Sequence, residues 1–405
     1  MYKIFVIGIS SSQLSPEQLT MLNSCSLLVA TGRLADLAAD FQGSIHPVTP
    51  IDKAISAIRH FSGHDNVAVF ASGDPLFYGI GRKLLTEFPP EQLEFHPGLS
   101  AIQRGCALLK TPWDDAAIVS LHGRQHRHIP GLLLQRYKSI IFTDNNNSPQ
   151  LITDKILSYL HSIDHTALIE GITLSVAEDI GLKTENIFRG SLKETTNRNF
   201  SPLNILCLQR PQLQSRNQSI SGFGLSEDDI CHSRGLITKN EVRAVTLHRL
   251  QLPATGVFWD VGGGSGSVSI EAARLNPDLI IYTIEHKGEE LDNIKRNIRS
   301  FGCFNIIPVS GKAPEALAGL PSPDRVFIGG SGGSLAEIVA LLGDRLAVNG
   351  RLVINGVIEK TIRSAPQYMK ENGFSVATSV INITRESRSG ETTVFNPITI
   401  LTGTR

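Results

Sequence analysis

The sequence predicts an α/β fold in two halves of about 200 residues each, because composition and pattern change together at one linker. In the second half, apolar stretches typical of buried strands alternate with helical segments, which predicts a parallel sheet with right-handed crossovers. One of these strands runs into a glycine-rich turn, residues 260–266, that opens a helix. The linker, residues 209–229, is rich in Gln, Ser, Arg and Pro and lacks apolar periodicity.

The first half begins with alternating strand and helix signals and changes character near Pro112. Ser15 is a suitable N-cap and Pro16 suits the first helical position, so a helix is predicted from there. The apolar stretches beyond Pro112 predict a second small α/β lobe, with a cleft between lobes 1–112 and 113–208. The signals are strand 3–8, helix 15–23, strand 27–30, a helix from Arg33, strand 66–71, and apolar stretches 118–121, 139–143, 166–170 and 204–208.

The second half, residues 230–405, contains five predicted parallel strands and a final pair of longer ones. The final pair, 376–384 and 394–402, lacks a helix between its members, which predicts an antiparallel hairpin at the sheet edge. Ligands of a parallel sheet meet the carboxyl ends of its strands, so the loops that follow the strands form the candidate site. The five parallel strands are 257–261, 280–285, 305–309, 325–328 and 351–355.

Composition excludes several classes of protein. The 405 residues are 41% hydrophobic and 19% charged, which is ordinary for a globular chain, and the formal net charge is zero. A neutral chain argues against a protein that binds nucleic acid through bulk charge. The five cysteines are scattered without a C-x-x-C pair, so we expect a reducing cytoplasm and no structural zinc. We expect neither a membrane span nor a leader, since no apolar stretch is long enough.

The turn at residues 260–266 carries the chemistry of the second half. Its glycines follow the spacing G-x-G-x-G, and Ser267 stands where a dinucleotide site has its third glycine. The spacing favours S-adenosylmethionine over NAD, with Glu285 accepting hydrogen bonds from the ribose. A dinucleotide site and a tight turn without ligand are the alternatives. The residues expected beside the donor are Gly262, Gly263, Gly264, Ser265 and Gly266, with Ala313 near the adenine.

A glycine-rich loop and a histidine-rich segment are weaker signals. Residues 329–333 hold four glycines, which predicts close backbone approach to a bulky group or a flexible connection. Residues 122–128 hold three histidines and two arginines, a pattern typical of a solvated segment. Carboxylate binding by His122 and Arg124 is the alternative, and no metal site is expected.

Two segments of the first half follow predicted strands and have turn-forming residues: 72–79 and 96–100. Each is either a turn with no further role or a loop that binds a ligand. No Ser-His-Asp or Cys-His set is evident, so the sequence identifies no catalytic residue. Methyl transfer needs chiefly positioning, which supplies about 7–11 kcal/mol of barrier reduction. The lack of an acid–base pair therefore agrees with a methyltransferase.

These motifs together resemble the precorrin-6Y C(5,15)-methyltransferase (decarboxylating) family, two-domain enzymes of cobalamin synthesis. The first half is similar to a tetrapyrrole methylase domain and the second to the companion methylase/decarboxylase domain. The resemblance runs nearly end to end, and two unlike methylase signatures in this order are specific. The matching segments are 6–8, 71–79, 96–101, 112–114 and 120–124 in the first half, and 235–243, 260–271, 311–317, 327–333 and 350–355 in the second.

The resemblance implies a two-lobed tetrapyrrole methylase domain followed by a Rossmann-like class I methyltransferase domain. It also implies two S-adenosylmethionine sites, one in each domain. The first domain would methylate carbon 5 of a reduced tetrapyrrole, and the second would methylate carbon 15 and decarboxylate an acetate side chain. The donor would contact Gly8, Gly73, Asp74, Leu76, Ser100, Ala101 and Leu121 in the first site, and Thr238, residues 262–266, Glu285 and Ala313 in the second.

The implied substrate carries many carboxylates, which a neutral chain must attract locally. Glu241 and Asn355 are expected to orient it in the second cleft. By analogy the second domain drives assembly of a homo-oligomer, commonly a tetramer. Ser10, where the family usually has glycine, puts a side chain near the first donor. Gly263 replaces a common Ala or Cys. The candidate cations are Arg124, Arg127, Lys239, Arg243, Arg385 and Arg388.

Two alternative functions stay open at this point. One is a methyltransferase acting on RNA or on another small molecule, which the neutral charge and the 6% aromatic content disfavour. The other is a protein that binds S-adenosylmethionine as a sensor and transfers nothing. The sequence also leaves open whether the tetrapyrrole contains cobalt.

Overall fold

The computed structural model describes residues 2–212, 222–387 and 389–405. It is an α/β structure built on two five-stranded sheets, one seven-stranded sheet and a small two-stranded hairpin. Part of the predicted linker, residues 213–221, and Arg388 lie outside the described residues. Among the residues described, no helix is both long and apolar enough to cross a membrane.

The first sheet is entirely parallel, in the order β3-β2-β4-β1-β5. The first helix begins as predicted, since Ser15 forms a capping box with Gln18 and Pro16 follows it. The helix predicted from Arg33 is a single short turn. The elements are β1 (Ile4–Ile9), α1 (Pro16–Asn23), β2 (Leu27–Ala30), α2 (Gly32–Ala35), β3 (Ser44–Pro47), α3 (Ile51–Phe61), β4 (Val67–Ser72), α4 (Gly81–Glu87), β5 (Leu93–His96) and α5 (Ala101–Leu109).

The second sheet is mixed, in the order β6-β7-β10-β8-β9, and its only parallel pair among the described strands is β6 with β7. The apolar stretch 166–170 lies in a helix, and the neighbouring strand begins at Thr173. The elements are β6 (Ala117–Ser120), α6 (Ile129–Leu134), β7 (Lys138–Phe142), α7 (Pro149–Ser162), α8 (Thr166–Gly171), β8 (Thr173–Glu178), β9 (Asn186–Ser191), α9 (Leu192–Thr196) and β10 (Asn204–Gln209).

The third sheet has the order β13-β12-β11-β14-β15-β19-β16, with its first five strands parallel. β11 is the middle one of the five parallel strands, and its Phe258 and Trp259 are fully buried, as expected for a strand covered on both faces. The elements are α10 (Asn240–Leu250), β11 (Gly256–Val261), α11 (Ser267–Leu275), β12 (Leu279–Glu285), α12 (Gly288–Phe301), β13 (Ile306–Ser310), β14 (Arg325–Ile328), α13 (Leu335–Arg345), β15 (Arg351–Gly356), α14 (Glu359–Glu371), β16 (Ser375–Ile381), β17 (Thr384–Glu386), β18 (Thr392–Val394) and β19 (Ile398–Thr404).

The end of the chain forms the predicted antiparallel pair at the edge of the sheet. β16 and β19 are antiparallel neighbours, β19 also pairs with β15, and β16 forms the edge. The segment between them forms the separate hairpin of β17 and β18. Val394, predicted inside the last strand, lies in β18 and is exposed.

The second lobe packs directly against the third sheet. Tyr159 on α7 donates from Oη to the carbonyl of Ile306 at 2.8 Å, and His128 donates from Nε2 to the carbonyl of Phe304 at 2.8 Å. One cluster of buried apolar side chains continues from α6, α7 and α8 into α11, α12 and β13. Apolar burial together with buried hydrogen bonds therefore fixes how the two halves meet.

Candidate functional site

The turn after β11 has the backbone shape that its glycines allow. Gly262, Gly264 and Gly266 all have positive φ, at 69°, 53° and 74°. A Cβ on Gly262 would lie 2.2 Å from the carbonyl oxygen of Gly330, so the glycine loop after β14 touches this turn. Two loops at the carboxyl ends of neighbouring strands are thus in backbone contact.

Glu285, at the end of β12, faces this turn. Its Oε2 accepts from the backbone N–H of Gly264 at 3.0 Å, and its Oε1 accepts from the N–H groups of His286 and Lys287 at 2.8 and 3.0 Å. The carboxylate is 6% exposed and lines a cavity of about 360 Å³ that also includes Ala313. Its two oxygens lie where they could receive the hydroxyls of a sugar.

Asp260 lies beneath the same turn and is fully buried. Its Oδ2 accepts from the hydroxyl of Ser269 at 2.6 Å, and that hydroxyl is 2.6 Å from Oγ1 of Thr283. Its Oδ1 has no hydrogen-bond partner among the described residues. Burial raises the pKa of Asp260 to about 6, against the opposing effect of Ser269.

A second cavity, of about 450 Å³, opens on the other side of the glycine turn. Gly262 and Gly264 line both cavities, so the turn separates two compartments at one sheet edge. The walls of the second cavity are largely apolar. They include Ile237, Val242, Phe327, Ile383, Phe395 and Ile398, with Thr238, Lys239 and Asn355 as polar members. We call this compartment the apolar pocket.

The residues predicted to orient a substrate have unequal positions. Asn355 lines the apolar pocket and exchanges hydrogen bonds with Thr246. Glu241 stands at the rim, paired with Arg385 at 2.7 Å. Arg243 does not face the pocket: it is 1% exposed, and its Nε lies 3.5 Å from Glu271.

The expected substrate contact by Arg243 is therefore corrected to a structural role. Its guanidinium donates to the carbonyls of Thr238 and Leu225, while Glu271 accepts from the N–H of Leu225 at 2.8 Å. A buried charge needs such compensation, and here the pair fixes the segment that precedes α10. Thr238 itself lies on that segment and lines the apolar pocket.

The first half has its own glycine contact, between the ends of β1, β4 and β5. A Cβ on Gly8 would lie 2.2 Å from the carbonyl oxygen of Gly73 and 2.3 Å from the nitrogen of Gly98. Gly73 has a φ of 69°. Three strand ends therefore approach more closely than any side chain permits, and Gly73 lines a cleft beside them.

A cleft of about 460 Å³ lies beside this contact, lined by residues on both sides of Pro112. Its first-lobe lining includes Gly73 and Ala101, and its second-lobe lining is residues 180–182. Ser10 also lines it, and Arg104 donates to the carbonyl of Ser10 at 2.8 Å. The added side chain at Ser10 is thus accommodated at the cleft.

Three other predicted residues of the first site, Asp74, Ser100 and Leu121, form hydrogen bonds that shape the loops and the helix start around it. Asp74 accepts from the N–H of Leu76 through Oδ1 at 2.9 Å, and Leu76 is exposed. Ser100 is the N-cap of α5, in a capping box with Gln103. The carbonyl of Leu121 accepts from the side-chain amide of Asn147 at 3.0 Å, and its side chain is fully buried.

The histidine-rich segment distributes its side chains among different partners. His122 hydrogen-bonds the carbonyl of Thr143 at 3.0 Å, and Arg124 lies over the ring of Tyr78, 5.8 Å from its centroid. Arg127 lines a cavity between the halves, at the amino ends of β11 and β12. In the described part of the chain no group of three His, Cys, Asp or Glu could hold a metal ion.

Sequence reasoning missed several residues that the fold brings to these clefts. Arg104 lies in no recognisable motif. The pairing of Arg385 with Glu241 joins residues 144 positions apart, so no local pattern predicts it. Tyr78, half exposed beside Arg124, could have been found from its place in the turn after β4. Glu227 carried no signal because it lies in the predicted linker.

A Rossmann-like sheet with a G-x-G-x-G turn and an acid at the next strand end defines an S-adenosylmethionine-dependent methyltransferase. Two family models match the chain: tetrapyrrole (corrin/porphyrin) methylases over residues 7–196, and the precorrin methyltransferase domain over residues 229–403. The chain belongs to the precorrin-6Y C(5,15)-methyltransferase (decarboxylating) family. This assignment is shown by a full-length relative.

That relative is a precorrin-6Y C(5,15)-methyltransferase [decarboxylating] from Sinorhizobium sp, 30% identical over 358 residues, 87% of this chain and 84% of the relative. A probable cobalt-precorrin-6B C(15)-methyltransferase (decarboxylating) from Pyrobaculum calidifontis is 38% identical over 171 residues, 41% of this chain and 87% of the relative. A solved precorrin-6Y C5,15-methyltransferase from Geobacter metallireducens GS-15 is 39% identical, with a TM-score of 0.44, covering 45% of this chain and 97% of that one.

Proposed function

We propose that this chain methylates carbons 5 and 15 of precorrin-6Y, or of its cobalt form, and decarboxylates an acetate side chain in cobalamin biosynthesis. The observation that carries the proposal is the presence of two separate glycine-lined clefts, each at the carboxyl ends of parallel strands. Two such clefts would provide one donor site for each of two methyl transfers at distant ring positions. The full-length relative supports the same activity.

Each cleft would hold one S-adenosylmethionine, whose sulfonium supplies an activated methyl group. The residues present fit a nucleoside-bearing donor, because a Cβ on Gly264 would project into open space beside the turn and Glu285 presents carboxylate oxygens to a ribose. In the first half the proposed contacts are Gly8, Gly73, Asp74, Leu76, Ser100, Ala101 and Leu121. In the second half they are Thr238, Gly262, Gly263, Gly264, Ser265, Gly266, Glu285 and Ala313.

The chain contributes position and environment to both reactions. The donor would lie across the glycine turn, with its nucleoside beside Glu285 and its methionine end beside Gly263 and Ser265, which line the apolar pocket. Its methyl group would then face a carbon held in that pocket. In the apolar pocket, Phe327 and Ile383 would exclude water from an acetate side chain. A carboxylate that loses its hydration releases carbon dioxide more readily. The carbon–carbon bond to the carboxylate would break, its electron pair would pass into the ring, and a proton from solvent would then convert the remaining methylene group into a methyl group.

The division of labour follows the two halves. We assign carbon 5 to the domain of residues 1–208, with lobes of about 1–112 and 113–208, and carbon 15 with decarboxylation to residues 230–405, after the linker 209–229. Arg124 and His122 would bind substrate carboxylates at the first cleft. The C-terminal domain would also mediate assembly into a homo-oligomer such as a tetramer.

Mass spectrometry of the product tests this proposal. The purified protein is incubated with S-adenosylmethionine and either metal-free or cobalt-containing precorrin-6Y. We expect a product with two more methyl groups and one carbon dioxide less, together with two equivalents of S-adenosylhomocysteine. A protein that binds the donor by calorimetry but produces no S-adenosylhomocysteine is a sensor, and that result would refute the proposal.

The variants Glu285→Ala and Asp74→Ala test the two-site assignment. We expect Glu285→Ala to reduce carbon-15 methylation and decarboxylation together by at least about a hundredfold, the loss expected for hydrogen bonds to a charged group, and to spare carbon 5. Asp74→Ala should show the reverse selectivity. The monomethylated products are distinguished by fragmentation. Equal losses at both carbons in either variant would contradict two independent sites.

A further inference from the structure

Four charged residues form one network beside the apolar pocket, whose lining includes Lys239 and the Phe395 ring that lies under Arg385. We call it the rim network: Glu227, Lys239, Glu241 and Arg385. We propose that Arg385 and Lys239 recognise the side-chain carboxylates of the tetrapyrrole, and that Glu241 occupies the Arg385 guanidinium until substrate displaces it. The inference rests on the proposed function of the C-terminal site. It adds the residues that select for a polycarboxylate macrocycle.

The hairpin of β17 and β18 delivers Arg385 to this rim. Its two strands pair with each other, and in the described part of the chain neither pairs with a strand of the seven-stranded sheet. Ile383 and Phe395 flank it, joined by a hydrogen bond from the N–H of Phe395 to the carbonyl of Ile383 at 3.0 Å, and both line the apolar pocket. The hairpin therefore forms one side of the pocket entrance.

The guanidinium of Arg385 already forms a bidentate pair with a carboxylate of the protein. Its Nε and Nη2 donate to the two oxygens of Glu241 at 2.9 and 2.7 Å. Nη2 also donates to Glu227 at 2.6 Å, and Lys239 donates to the other oxygen of Glu227 at 2.7 Å. The hydrogen bond from Arg385 lowers the pKa of Glu241, so the acid is ionised at neutral pH.

The two acids of the network differ in exposure, and this difference assigns their roles. The side chain of Glu227 is 14% exposed, whereas that of Glu241 is 43% exposed and that of Arg385 is 34% exposed. The bidentate pair with Glu241 stabilises Arg385, but Glu241 is much more exposed than Glu227, so another carboxylate can reach the guanidinium on the side that Glu241 occupies. Glu227 thus holds Arg385 and Lys239 in place, while Glu241 can be exchanged for another carboxylate.

The surroundings of the network match an amphipathic macrocycle. Lys239 and Arg385 both lie over the ring of Phe395, 5.5 and 5.0 Å from its centroid, which holds two cations side by side above an apolar wall. Leu236 and Val357, also in the pocket lining, are 59% and 61% exposed. A flat apolar ring with peripheral carboxylates would cover these side chains and satisfy the cations.

Two substitutions with opposite expected effects test this inference. Arg385→Ala should raise KM for the carbon-15 reaction about ten- to a hundredfold, the loss of a hydrogen-bonded charge, with kcat little changed. Glu241→Gln should lower the same KM about two- to fivefold, because it weakens the competing exposed ion pair. Glu87→Gln, which removes the acid of an exposed ion pair in the first half, is the matched control and should change neither value.

The readouts separate this inference from the proposed function. Product mass shows whether the wild-type protein methylates carbon 15 at all, and its failure to do so would refute the function itself. If Arg385 instead serves to hold the hairpin, Glu241→Gln and Arg385→Ala should both raise KM and lower the thermal midpoint, and the inference is wrong. Calorimetry with S-adenosylhomocysteine should give the wild-type affinity in both variants.

A second copy of the chain is the competing occupant of the exposed apolar rim. Val357→Ser should raise KM and leave the sedimentation coefficient unchanged if the macrocycle covers this side chain. A changed sedimentation coefficient with an unchanged KM would mean that Val357 belongs to a subunit contact, which would overturn the apolar part of the inference.

Discussion

At the scale of single residues, neighbouring glycines of one turn have different reasons to be glycine. Gly262 has positive φ and its missing Cβ leaves room for the carbonyl oxygen of Gly330. Gly264 also has positive φ, but a Cβ there would meet no described atom within 4 Å. The first glycine is therefore needed to pack two loops together, and the second keeps open the cavity that Glu285 lines.

The variants Gly262→Ala and Gly264→Ala should separate these two roles. Gly262→Ala should lower the free energy of unfolding by about 2–4 kcal/mol, from overpacking and a strained backbone. Gly264→Ala should lower it by about 1 kcal/mol, from backbone strain alone, yet weaken binding of S-adenosylhomocysteine to the C-terminal site. Urea unfolding and calorimetry measure both quantities. Equal stability losses would contradict the packing role of Gly262.

Asp260 makes the stability of the C-terminal fold depend on pH. Its pKa is about 6 in the folded protein, against an ordinary value of 3.8, because burial disfavours the charged form. The folded state therefore binds a proton more tightly than the unfolded chain. Between these two values the stability contributed by this group falls as the pH rises, and above about pH 6 the full cost of the buried charge applies.

The variant Asp260→Asn should remove this dependence. The free energy of unfolding of the variant, minus that of the wild type, should increase by up to about 3 kcal/mol as the pH rises from about 4 to about 7. Other titrating groups are common to both proteins and cancel in the difference. Urea unfolding at a series of pH values measures it. A difference that does not change with pH would show that Asp260 keeps its ordinary pKa.

At the scale of elements, local sequence pattern predicted the helices and strands that are determined by local signals, namely clustered apolar residues and helix caps. The predicted strand at 325–328 and the helix after Ser15 agree with the structure, because apolar clustering and capping are local signals. The stretch 166–170 lies in a helix, since a short apolar run is compatible with either period. The place of β19 between β15 and β16 depends on pairing between distant strands, which local pattern does not contain.

The same distinction explains how much of the sites could be predicted. The two glycine turns were found because strained backbone and close approach require glycine, which is readable at a single position. The structural role of Arg243 could not be predicted, because its partner Glu271 lies on another helix. The pairing of Arg385 with Glu227, 158 residues away, could not be predicted either. A charged residue can pair with any opposite charge that the fold brings near it, and the local sequence does not indicate which one.

At the scale of the whole molecule, the two halves are joined by buried polar contacts as well as by apolar ones. The hydroxyl of Tyr159 reaches the carbonyl of Ile306, the first residue of β13. The loop that follows β13 carries Ala313, which lines the proposed second donor cavity. The second lobe of the first half therefore supports the strand that leads into the site of the other half.

Tyr159→Phe should weaken this support without disturbing the first half. The carbonyl of Ile306 would lose its buried partner, which costs about 1–3 kcal/mol. We expect faster hydrogen exchange, measured by mass spectrometry, in a peptide covering residues 304–313. Tyr137→Phe is the control: its hydroxyl bonds Gln209 within the second lobe, so the same peptide should keep its wild-type exchange rate. If both variants leave that rate unchanged, the contact between the halves is not what stabilises β13, and the apolar cluster alone must hold the two halves together.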